Sequence, residues 1–104
     1  MNYQLIFYVP EANLEEVKQA LFELGVGKLG NYEQTCWQSL GRGQFRPLED
    51  ANPAIGKKQE LNFVNEYKVE ILCSDELIHL AVQKLIEVHP YEEPAYAVIR
   101  LEPF

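Results

Sequence analysis

Apolar and polar residues alternate from Tyr3 to Val9, with Leu5, Phe7 and Val9 on one side and Gln4, Ile6 and Tyr8 on the other, which is the period of a strand. Pro10 ends this run. The period then lengthens. Leu14, Val17, Leu21 and Leu24, with Ala20 beside them, form the stripe of a helix laid on a sheet, leaving Glu15 and Lys18 to water. Asn13 and Glu16 have the spacing of a capping box, which starts the helix at Asn13, and Gly25 supplies its stop. Alternation returns over Thr35 to Leu40, where Cys36, Gln38 and Leu40 oppose Thr35, Trp37 and Ser39. No period survives from Gly41 to about Gln59, and glycines and prolines there predict a long loop or irregular hairpin. Asn65 to Cys73 is a third strand, with Tyr67, Val69, Ile71 and Cys73 opposite Glu66, Lys68, Glu70 and Leu72. Ser74 or Asp75 caps a second helix whose stripe is Ile78, Ala81, Val82 and Leu85, with Leu77 and Val88 at its margins. His89-Pro90 stops it, and a last strand runs through Ala97, Ile99 and Leu101 with Tyr96, Val98 and Arg100 behind.

Strand, helix, strand, strand, helix, strand predicts an α+β, ferredoxin-like βαββαβ domain spanning residues 1–104: a four-stranded antiparallel sheet with both helices on one face and a long loop at about 41–59. The other face is then bare. Depending on register it carries Ile6, Tyr8, Trp37, Leu72, Tyr96 and Val98, too apolar a set for water, so the pattern predicts an oligomer.

A net charge of -7 argues against nucleic acid and anionic membrane surfaces as partners. Cys36 and Cys73 are too few and too far apart for a disulfide framework and read as reduced thiols. The chain opens with no charged and apolar leader and has no run long enough to span a bilayer, so the expected location is cytoplasmic.

Candidate chemistry concentrates in His89-Pro90-Tyr91-Glu92-Glu93-Pro94-Ala95-Tyr96, where two prolines clamp one turn between helix and strand. His89, Glu92 and Glu93 offer an imidazole and two carboxylates that a borderline divalent metal accepts, and Cys36 adds a soft ligand if it approaches the turn. The same residues also read as plain structure, with His89 at a helix C-terminus where positive charge is favourable. The loop holds Arg42, Arg46, Lys57 and Lys58, four of the nine basic residues, beside flexible glycines, a composition suited to a small anionic ligand. A mixed-charge solvated loop is the competing reading. No nucleophile and base are tied together by a motif, so an enzyme is the least favoured class.

The His89–Tyr96 segment resembles the signature that closes the inserted domain of the YqfO-type (Nif-three-like) family. Gly30-Asn31-Tyr32, Cys36 with an aromatic after it, Gly41-Arg42-Gly43-Gln44-Phe45-Arg46-Pro47, Ala51-Asn52-Pro53-Ala54-Ile55-Gly56 and Glu66 are similar to that domain in order and spacing. The resemblance covers nearly the whole chain and implies a fold like the trimeric CutA ion-tolerance and PII signalling proteins. The family's metal-binding halves are absent from these residues, so its dinuclear hydrolase-like chemistry is not carried over. Ala97 and Trp37 depart from the residues usual at their positions. The sequence thus predicts a non-enzymatic, homotrimeric binding or regulatory module, with a ligand met by Arg42, Gly43, Phe45, Arg46, Asn52 and Tyr91. The alternative is a CutA-like copper- or zinc-binding protein using His89, Glu92, Glu93 and Cys36.

Overall fold

In the computed structural model, which describes residues 2–104, Leu5, Phe7 and Val9 of the first strand are completely shielded from solvent. This strand, β1 (Asn2–Pro10), lies between β3 (Asn62–Ser74) and β4 (Tyr96–Arg100), and β3 pairs in turn with β2 (Trp37–Phe45). All three pairings are antiparallel, giving the order β2-β3-β1-β4. Helices α1 (Glu11–Glu23) and α2 (Ile78–Val88) bury Leu14, Val17, Leu21, Ile78, Ala81 and Leu85 against Val69, Ile71 and the inward residues of β1. The α+β, ferredoxin-like fold expected from the pattern is the one observed. Both cysteines are free, and burial in the core pushes the Cys73 thiol up to about 11.

Helix α1 starts earlier than the capping box suggested. Ladder pairing continues to Pro10 opposite Glu66, and Pro10 is itself the N-cap with extended backbone, so Asn13 lies inside the first turn and caps nothing. Ser74 likewise remains in the ladder opposite Asn2; its carbonyl accepts the Leu77 amide, and α2 begins without a side-chain cap. Lys18, expected in water, lies along β2 with its side chain only 13% exposed, its Nζ donating to Gln38 Oε1 at 2.8 Å and Glu15 Oε2 at 3.1 Å.

At the end of α1, Val26 donates to the Leu21 carbonyl and Gly25 to that of Phe22, a Schellman closure that needs the positive φ of Gly25. Gly27 is more constrained. It has φ +86°, donates to Leu72 O, and its carbonyl accepts both the amide and the hydroxyl of Thr35.

Register settles which residues share a face. Tyr96, Val98 and Arg100 oppose Phe7, Leu5 and Tyr3, so they lie on the helix side, while Ala97 and Ile99 join Ile6 and Gln4 on the open side. Tyr96 and Val98 therefore leave the bare face predicted for them, since a shift of one residue reverses a strand's faces. Ile6, Tyr8, Trp37 and Leu72 stay on it, and one row crosses all four strands as Trp37, Glu70, Ile6 and Ala97.

The expected loop at about 41–59 is shorter than predicted, because Gly41 to Phe45 continue β2 and pair with Glu66 back to Asn62. Beyond Pro10 no third strand among the described residues accompanies them. Residues 42–45 and 62–65 form a two-stranded ribbon projecting from the body of a molecule 46 × 24 × 22 Å in extent.

Gly27→Ala tests the knot after α1, because a Cβ there would lie 2.8 Å from the Thr35 carbonyl as well as at positive φ. The expected loss is about 2 kcal/mol in urea unfolding, with an unchanged fold by circular dichroism.

Candidate functional site

Helix α2 makes its last bond from the His89 amide to Leu85 O, after which the backbone turns extended and the chain enters the two-proline turn. The His89 imidazole is 6% exposed. Its Nδ1 accepts the Tyr91 amide at 3.1 Å. An amide N–H can only donate, so the ring proton sits on Nε2, which donates to the Tyr8 carbonyl at 2.6 Å. Burial holds the imidazole below its usual range, outweighing the opposing pull of the Tyr8 bond and of the Glu66 charge. His89 is thus a neutral clasp between the turn and β1, and the charged, helix-capping histidine that the sequence also allowed is not what forms.

The Tyr91 ring stands edge-on to His89, with centroids 4.8 Å apart, and its hydroxyl donates to Glu66 Oε2 at 3.1 Å. Burial first, then the Glu66 charge and hydrogen bond, push the phenol well above its ordinary pKa, so it remains a donor. Glu66 lies across β2 against Gly43, where any Cβ would collide with the carboxylate. On the other side the loop 46–61 folds back, with Gln59 donating to Pro47 O and Asn52 donating to both carboxylate oxygens of Glu92 at 3.3 and 3.1 Å.

Loop, turn and the end of the sheet enclose a cleft of about 640 Å³. Tyr8, Gly43, Val64 and Glu66 line it from the sheet, Phe45, Arg46, Leu48, Pro53 and Ile55 from the ribbon and loop, and Tyr91, Glu92 and Glu93 from the turn. Of the residues expected to meet a ligand, Gly43, Phe45, Arg46 and Tyr91 line the cleft, and Asn52 tethers its rim. Arg42 does not. It alternates to the opposite side of the ribbon, where its guanidinium sits 4.0 Å from the Phe63 ring centroid. Lys57 and Lys58 are also absent from the lining, so the cleft carries four carboxylates (Asp50, Glu66, Glu92, Glu93) against Arg46 alone. That inverts the electrostatics from which an anionic ligand was expected.

The four residues proposed for a metal are not brought together. Both ring nitrogens of His89 are engaged, Glu92 holds Asn52, and among the described residues no three His, Cys, Asp or Glu converge on a point that could hold an ion. Cys36 precedes Trp37, whose partner Glu70 is about 14 Å along β3 from Glu66. Sequence reading missed Tyr8 and Glu66 as lining residues. A carboxylate in an alternating strand reads as solvated; the family resemblance marked Glu66, and the Tyr91 contact shows its place.

No family model matches the chain. A GTP cyclohydrolase 1 type 2 homolog of Halalkalibacterium halodurans is 42% identical over 94 residues, which is 90% of this chain and 25% of that protein. The homolog of that name in Staphylococcus epidermidis is 36% identical over 99 residues, 95% of this chain and 27% of its own. The chain thus spans about a quarter of the length of the curated relatives it matches. Among solved structures, a Bacillus cereus protein related to NIF3 superposes with a TM-score of 0.84 at 31% identity, over 98% of this chain and 26% of that one. The CutA divalent cation tolerance protein of Archaeoglobus fulgidus gives 0.72 at 12% identity, over 100% of this chain and 87% of its own. The Bacillus subtilis GlnK gives 0.64 at 17%, over 97% and 83%. The chain is therefore related to one segment of the NIF3-related (YqfO-type) proteins, as its motifs indicated, and shares the fold of CutA and GlnK. Among the described residues no helix is long and apolar enough to cross a membrane.

The His89 clasp has a pH signature. The folded-state pKa lies below the ordinary 6.5, so the unfolded chain takes up the proton first; stability is complete above about pH 6.5 and declines as pH falls below it. In urea titrations between pH 7.5 and 5, His89→Gln should be the less stable protein at pH 7.5 but show a flatter decline. An unaltered slope would remove His89 as its source.

Proposed function

We propose that the chain acts as a self-associating binding module, a homotrimer in which the open sheet faces turn inward and each cleft, whose sheet wall is the end of that same face, opens at a subunit boundary. The observation that carries this reading is apolar surface the chain has no means to cover. Trp37 is 68% exposed on the open face, and Leu72 and Ile99 share that face across Gln4. The ribbon adds to it. Two strands without a third or a helix are marginal in water, yet this pair exposes Phe63, with Leu61 exposed just before it, and supports one wall of the cleft.

Each large apolar side chain removed from water contributes about 2 kcal/mol, so a set repeated by symmetry can offset the entropy of association. The sheet has two free edges, β2 and β4, at opposite ends. Head-to-tail packing that closes into a ring covers such edges, whereas an open arrangement would leave a growing end. Ring closure at three copies is the arrangement implied by the CutA and PII resemblance. Binding fits the cleft: Glu66 is held by Tyr91, and Tyr91 by His89.

Light scattering at micromolar concentration should return three times the 12.0 kDa chain mass. Trp37→Asp, which replaces the exposed indole by a second carboxylate opposite Glu70, should lower that mass toward the monomer while leaving the circular dichroism spectrum intact. A monomeric wild type would refute the trimer.

A further inference from the structure

We infer that the cleft selects an organic cation, an ammonium or guanidinium group carried on an apolar body, with Glu66 as its anchor. This rests on the cleft being the module's binding site and goes on to name the ligand class. Size comes first. A cavity of about 640 Å³ is that of a small organic molecule, far more than a bare ion needs. Its walls are aromatic as well as acidic: Tyr8, Phe45 and Tyr91 offer ring surface to a cation or its apolar stem.

Glu66 is the one lining carboxylate built into the sheet, held by one hydrogen bond and lodged beside a residue with no side chain. The Tyr91 hydroxyl donates to Oε2, and the missing side chain at Gly43 gives the carboxylate room against β2. A carboxylate has acceptor capacity well beyond the single bond Tyr91 uses. Three further carboxylates and only Arg46 line the same space, so an anion entering would meet repulsion from most directions. The acids surround the space without converging on one point, which suits a ligand with extent and not a chelated metal ion.

Agmatine, whose guanidinium and ammonium ends are joined by an apolar chain, is a suitable probe, titrated calorimetrically into the intact chain alongside ATP and zinc chloride. Agmatine should bind, more weakly as salt is raised, and Glu66→Gln should weaken it at least about tenfold while keeping an acceptor for Tyr91. Asp50→Asn, on the exposed loop, should act in the same direction without touching the sheet. Agmatine affinity unmoved by Glu66→Gln would overturn the inference. So would binding of ATP that disappears in Arg46→Ala, or of zinc in place of agmatine, although either result would leave the binding module standing. If no probe of any class binds, the inference and the binding half of the proposed function fall together, while the trimer stands or falls on its mass alone.

Discussion

Two helices of thirteen and eleven residues cannot cover a sheet whose central β3 runs for thirteen residues, and that shortage of cover governs the molecule. Both helices lie on one face over β1 and the inner half of β3, where Leu5, Phe7, Val9 and Val69 lose all contact with water. Everything beyond their reach is handled differently. The open face keeps Trp37 in solvent, β4 has all five residues exposed, and the far end of the β2–β3 pair projects as a bare ribbon. A single core of this size cannot do more, and that is the physical ground on which self-association is proposed.

The cleft sits where the covered and uncovered parts meet. Its geometry depends on His89, whose two ring nitrogens reach a strand carbonyl on one side and a turn amide on the other. Such a buried ring costs little while neutral, because each nitrogen has a partner of the right sense, and a second proton would set a donor against the Tyr91 N–H. Through that amide the clasp fixes Tyr91, and through the phenol it fixes Glu66. Three separate stretches of sequence, at Tyr8, Glu66 and His89–Tyr91, thereby become one wall facing the loop.

Cleft electrostatics run against loop composition. Arg42, Arg46, Lys57 and Lys58 make residues 41–59 the most basic stretch of an acidic chain, yet only Arg46 faces the cavity. Strand alternation sends Arg42 to the far side to stack on Phe63, and the acids of the turn and of β3 fill the space that remains. Net charge along a segment does not report the charge of the surface it helps to enclose, because the enclosing partners come from elsewhere in the chain.

The alternation of Leu5, Phe7 and Val9, the stripes of the two helices and the prolines around the turn were legible in the sequence, because each is a local period or a local steric rule set by burial on a single face. So was kinship with the NIF3-related segment, carried by the His89–Tyr96 motif. Where burial was missing, the signal was missing too. Gly41 to Phe45 looked like loop because neither side of the ribbon enters the core, one side only lining the cleft through Gly43 and Phe45, and the faces of β4 were reversed because register is set by the pairing with β1 and not by β4 itself. The caps expected at Asn13 and at Ser74 or Asp75 did not form: ladder pairing reached Pro10 and Ser74, and α2 starts only after Leu77, with no side-chain cap. The union of Glu66, Tyr91 and Gly43 was decided only by tertiary structure, since two strands and a turn had to meet before a carboxylate in an ordinary strand could become the fixed charge of a cleft.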